Sequence, residues 1–140
     1  MPKFMLIMRG TDEGEAAYAE IDFEKVIAEM GAYNEKMMDV GVLVAGEGLA
    51  PAEEGAVVDF SAEEPVVTDG PYGETKELFN GFWMLEVASK EEAVEWAKRA
   101  PLAGPGNKIE VRRVNGVEDF PQDNEWIQKE KEWRKELGTE

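Results

Sequence analysis

Residues 82–92 read Phe82-Trp83-Met84-Leu85-Glu86-Val87-Ala88-Ser89-Lys90-Glu91-Glu92, a strand and a helix start set back to back. The first six are apolar at every position but Glu86, so the strand has no obvious solvent face. Ser89 and Glu92 then stand in the Ser-x-x-Glu spacing of a capping box, whose two side chains satisfy free amides where a helix begins. The helix is predicted to run to Ala100, before Pro101.

Working outward, residues 108–114 form the last core strand. Upstream, residues 4–8 are an unbroken apolar run closed by Arg9-Gly10, another buried strand. Residues 11–22 are small and acidic, a loop. Asp22 is placed to cap a helix over residues 23–40, with Phe23, Val26, Ile27, Met30, Tyr33 and Met37 at the three- and four-residue steps of one face. Gly41 ends it in a left-handed C-cap. A second strand starts at Val42, and residues 56–60 and 66–67 make a short hairpin around Glu63-Glu64-Pro65. With that hairpin set aside, the order is strand, helix, strand, strand, helix, strand: an α+β, ferredoxin-like βαββαβ domain with an insertion. Two helices cover only one face of a four-stranded sheet. A sheet-to-sheet homodimer is therefore expected, the bare face buried against a twin.

Residues 1–117 read as this domain and 118–140 as a C-terminal helical extension. In the extension Trp126, Ile127, Trp133 and Leu137 form a narrow apolar stripe. It reads either as a helix docked on its own domain or its twin, or as a docking helix for another protein.

The chain has 140 residues, enough for one domain with a real core. It carries 31 acidic against 15 basic residues, a formal charge of −16. A surface this negative repels phosphate backbones and anionic lipid, so no nucleic-acid and no membrane partner is expected. There is no cysteine and no histidine. That removes thiolate nucleophiles, imidazole triads and the usual zinc ligands. No carboxylate spacing supports a Mg²⁺ or Ca²⁺ site, and no phosphate-binding or dinucleotide motif is present, so no cofactor is expected. The apolar run near the N-terminus is too short for a signal or a membrane span, which leaves a cytoplasmic protein as the simplest expectation.

Between the hairpin and residue 82 lies Thr68-Asp69-Gly70-Pro71-Tyr72-Gly73-Glu74-Thr75-Lys76-Glu77. Asp-Gly-Pro is turn chemistry: Gly70 tolerates positive φ, and Pro71 pushes it away from helix. The connection is longer than hairpin closure needs and rich in ionisable groups. This stretch resembles the signature of the DGPF subgroup of the YCII-related family, with Tyr72 where Phe is usual. Gly46-Glu47-Gly48-Leu49-Ala50-Pro51 and Asn80-Gly81-Phe82-Trp83 resemble two further family segments, and the resemblance covers about residues 3–114. It implies a dimeric α/β barrel-like packing of two sheets around a small-molecule pocket. A His–Asp dyad suggested for YCII-like proteins has no counterpart here beyond the carboxylate.

Asp69 is the candidate catalytic residue. At the start of the loop its carboxylate can sit in a cleft as a general base, or simply accept hydrogen bonds from its own turn. Glu47, flanked by glycines that let backbone approach a ligand, is a binding candidate or a solvated bulge residue. Arg9 can neutralise Asp69 or hold a ligand carboxylate. Tyr72 can stack on a substrate or pack, and Glu74 and Lys76 form a surface ion pair or a hydrogen-bonded lid. The leading expectation is a small-molecule-binding dimer with metal-free isomerase- or lyase-type proton chemistry. The alternative is a non-catalytic regulatory or protein-interaction module, which the resemblance associates with transcription-factor systems.

Overall fold

The alternation of side chains along β1 decides what the sheet buries. In the computed structural model, which describes residues 1–11, 22–70, 78–102 and 104–139, β1 is Lys3–Gly10. It directs Phe4 and Leu6 into the core and leaves Met5, Ile7 and Arg9 on the opposite face. The other strands of this sheet are β2 (Leu43–Gly48), β5 (Leu78–Glu86) and β6 (Lys108–Arg113). Their order is β2-β5-β1-β6, with every neighbouring pair antiparallel. Among the described strands the sheet is open, with β2 and β6 as edges and no closure into a barrel. β3 (Ala56–Asp59) and β4 (Val66–Asp69) form a separate two-stranded antiparallel ribbon. The architecture is α+β.

Helix α1 (Phe23–Asp39) begins where Asp22 accepts a hydrogen bond from the Glu24 amide at 3.1 Å, and Gly41 follows its end at φ +77°. Helix α2 (Lys90–Lys98) opens with both halves of a box-like cap. Ser89 Oγ accepts from the Glu92 amide at 3.2 Å, and Glu92 accepts from the Ala88 amide at 3.0 Å. It stops before the expected Ala100 because a residue preceding proline is biased out of helical geometry.

Both helices pack on one face of the sheet. Phe4, Leu6, Trp83, Leu85 and Val87 meet Tyr33 and Met37 of α1 and Ala93 of α2 in a single buried cluster. Tyr33 is central. Its ring meets Trp83 edge-on at 5.1 Å and Trp96 at 6.5 Å. Its hydroxyl donates to the Trp96 carbonyl at 2.7 Å, and Trp83 Nε1–H donates to Asn34 Oδ1 at 2.8 Å. Each buried polar tip is thereby satisfied. The predicted stripe of α1 is only partly used, since Phe23 and Ile27 remain exposed.

The extension follows a bidentate clasp. Arg113 donates to both carboxylate oxygens of Asp119, at 2.9 and 3.0 Å, and the Gly116 amide donates to the same carboxylate at 2.7 Å. Helix α3 (Glu125–Leu137) is capped by Asn124 at one end and by Gly138, at φ +71°, at the other. Of the two dockings expected, on its own domain or on a twin, this chain does not bury the stripe on its own domain: Trp126 is 62% and Leu137 75% exposed. Its tryptophans instead meet each other, Trp126 and Trp133 lying 6.4 Å apart, with Lys129 over the Trp126 ring.

Candidate functional site

The ribbon leans on the edge of the sheet and leaves a groove of about 270 Å³. Its walls are residues 49–52, 55–57 and 78–80, with Gly70 at the base. Three local features build it. The Leu49 amide donates to the Asn80 carbonyl at 2.9 Å, fastening the segment after β2 to β5. A 3-10 turn over Ala52–Glu54 then reverses the chain into β3. Finally, Gly70 takes φ +72° and its amide donates to the Gly55 carbonyl at 2.8 Å, closing the ribbon one pair beyond Ala56 and Asp69. The left-handed conformation predicted for Gly70 is what this closure requires.

The strand opposite contributes a β-bulge. Met8 pairs with Gly81 but Arg9 pairs with Phe79, so Asn80 is the extra residue on β5. Bulges re-aim side chains at sheet rims. Here the Asn80 amide lies over Gly10, where a Cβ would come within 2.5 Å of Asn80 Nδ2. Phe79 lines the groove, and its ring sits 6.5 Å from that of Phe82 on the bare face of the sheet. Phe79 thus links the groove to that face by a ring contact.

Asp69 is the last residue of β4, exposed, and paired in register with Ala56; it precedes Gly70 in the chain, and Ala56 and Gly70, not Asp69 itself, line the groove. Among the described residues its carboxylate accepts no hydrogen bond and meets no cation. The rest of its own turn, residues 71–77, lies outside the described residues. The carboxylate is not sunk among apolar neighbours.

Glu47 is elsewhere. The expectation placed it in a loop just after a strand, but it lies inside β2, opposite Phe82 on the bare face. Of its flanking glycines Gly46 serves packing. A Cβ on Gly46 would come within 3.0 Å of the Trp83 indole, while Gly48 runs beside Gly81. Arg9 shares the bare face with Glu47, but its guanidinium pairs with Glu110 at 3.2 Å. Tyr72, Glu74 and Lys76 lie outside the described residues, as do residues 12–21 of the predicted acidic loop.

Phe79 and Asn80 are groove residues that the sequence reading did not single out as a site. The Asn80-Gly81 step was their signal, since such a pair inside a strand marks a bulge. Among the described residues no group of three carboxylates converges as metal ligands, and no helix is long and apolar enough to cross a membrane.

An open antiparallel sheet with helices on one face and an inserted ribbon shaping a groove at its rim defines a small α+β protein with a pocket at the sheet edge. The chain belongs to the YCII-related family, whose domain model matches residues 3–118. It is also similar to an uncharacterised protein of Rhizobium meliloti (strain 1021), 34% identical over 98 residues, which make up 69% of this chain and 79% of that protein.

Proposed function

We propose that this chain is a DGPF-type member of the YCII-related family that binds a small molecule in the groove beside Asp69. The observation that supports this is a built groove whose lining residues Ala56 and Gly70 are the strand partner and the chain neighbour of an exposed carboxylate. The groove is held open by the Leu49–Asn80 and Gly70–Gly55 hydrogen bonds and by the bulge at Asn80. Its walls are largely apolar and include Phe79, so an apolar ligand with one polar group facing Asp69 fits best. Asp69 then serves as hydrogen-bond acceptor or general base in isomerase- or lyase-type proton abstraction.

The strand order β2-β5-β1-β6, with both helices on one face, supports the ferredoxin-like βαββαβ plan. The opposite face carries Met5, Ile7, Phe82 and Met84, half-buried and uncovered by either helix. That supports a homodimer formed sheet to sheet, with the groove joined to its border by Phe79.

A thermal-shift screen of metabolites tests the binding reading. A compound at a hundred times its Kd stabilises the fold by about 2.7 kcal/mol. Asp69→Asn removes that stabilisation, or keeps binding while abolishing deuterium exchange at the ligand's acidic carbon if Asp69 is the base. A compound that binds and exchanges equally well in Asp69→Ala sinks the role of this carboxylate. The second reading, a protein-interaction module, draws on the exposed Trp126, Trp133 and Leu137 of α3. A silent metabolite screen together with loss of a captured partner in Trp126→Ala favours it.

A further inference from the structure

A second cavity, of about 300 Å³, lies between α1 and α2 on the helical side of the molecule, away from the ribbon. Its walls are aromatic and apolar: Tyr33, Trp96, Ala32 and Pro101. Tyr33 lines it from the core side, 5% exposed and with its hydroxyl committed to the Trp96 carbonyl, so a ligand's main aromatic contact is Trp96. The rim carries Lys36 and Arg99. Arg99 is held over the Trp96 ring, 4.8 Å from its centroid, by cation–π attraction.

These two cations stand out against the charge of the chain. Acids outnumber bases 31 to 15, yet among the described residues neither Lys36 nor Arg99 has a carboxylate within ion-pair distance. The carboxylates of the same two helices pair elsewhere, Glu29 with Lys25 at 4.0 Å and Glu95 with Lys98 at 2.9 Å. Two cations with no ion pair of their own at the mouth of an aromatic cavity are complementary to one anionic group on a flat apolar body. Glu29 shares the rim and would repel a second anionic group.

We propose that this cavity binds a small aromatic monocarboxylate, its ring against Trp96 and its carboxylate between Lys36 and Arg99. The cavity size limits the body to roughly a single ring. This site is independent of the groove beside Asp69.

Titration of ¹⁵N-labelled protein with phenylacetate, and separately with the neutral phenylacetamide, tests it. The expected result is saturable shifts at residues 29–36 and 96–101 with phenylacetate and none with the amide. In Lys36→Gln/Arg99→Gln the Kd should rise about tenfold or more, and in the wild type binding should weaken as salt is raised. Both positions are exposed, and an unchanged urea midpoint confirms that the double variant folds. The proposal is overturned by an absence of shifts at about 10 mM phenylacetate, by equal binding of the amide, or by unchanged affinity in the double variant. Shifts confined to residues 55–57 and 78–80 also overturn it, and would assign the ligand to the other groove.

Discussion

The Tyr33 hydroxyl donates a 2.7 Å hydrogen bond to the main-chain carbonyl of Trp96, joining α1 to α2 across the top of the core. That carbonyl lies in the last turn of α2 and also accepts from the Arg99 amide at 3.0 Å, so the tyrosine supplies its second hydrogen bond. Tyr33→Phe keeps the ring and its contact with Trp83 but leaves the carbonyl with the Arg99 amide alone. The expected cost is about 1–2 kcal/mol, read as a lower urea midpoint with an unchanged m-value.

Burial also pushes the Tyr33 hydroxyl up to about 12, against a smaller opposing pull from Arg99. The folded state therefore holds its proton where the unfolded chain, titrating near 10, releases it. Tyr33 thus contributes stability in full below pH ~10, and that contribution disappears as pH rises towards ~12. Unfolding free energy should fall by up to about 3 kcal/mol across this window. The slope should flatten in Tyr33→Phe; an equally steep alkaline slope in the variant would remove Tyr33 as its cause.

Gly81 is the closest approach between β5 and β2. A Cβ there would lie 2.6 Å from the Glu47 carbonyl oxygen and 3.0 Å from Gly48 Cα. These are backbone atoms of a paired strand and yield only if β2 shifts. Gly81→Ala should cost about 1–3 kcal/mol. Gly48→Ala, whose added methyl meets nothing within 4 Å, is the control and should lie within about 0.5 kcal/mol of the parent. Chemical denaturation of the pair separates contact from glycine removal as such.

The hydrogen bonds from Arg113, reinforced by the Gly116 amide, hold the Asp119 carboxyl below its ordinary value. Its contribution is present above the unfolded Asp value near 4 and is lost as pH falls through the lower folded value. Asp119→Asn should loosen the segment between β6 and α3 at neutral pH. Amide exchange at residues 115–120 should accelerate while exchange in β1 and β5 stays unchanged. Acidifying the parent protein below pH ~4 should reproduce that pattern.

The bare face supplies the dimer prediction. Ile7 and Phe82 are opposite one another there, between the charged positions Glu47 and Glu110. Phe82→Glu places a charge at the centre of the proposed sheet-to-sheet interface. Light scattering should show the mass falling from two chains to one at micromolar concentration. A parent protein already of single-chain mass would remove the dimer.

Much of the fold is legible in one dimension because its elements carry local signals. Ser89 and Glu92, Asp22 and Gly41, and the apolar runs at residues 4–8 and 82–87 each depend on neighbours within a few residues. The same holds for Gly70, whose positive φ follows from the Asp-Gly-Pro turn. The groove is legible only in part, since it is made by pairings between segments far apart in the chain. Nothing local in residues 46–48 distinguishes a ligand loop from an edge strand. Gly46 is explained by the Trp83 indole of the strand alongside, while Gly48 has open space around it. Arg9 likewise found its partner in Glu110, 101 positions away.

By itself the sequence determined which segments are strands and helices, the position of the inserted ribbon and the exclusion of imidazole and thiolate chemistry. Those follow from periodicity, capping and the absence of whole residue types. Only the tertiary structure decided that Asp69 is exposed at the end of β4, that Glu47 and Arg9 lie on the bare face of the sheet, and that α3 leaves its tryptophans exposed. Strand register and packing direction fix where a side chain points, and both are set by contacts that no local stretch of chain encodes.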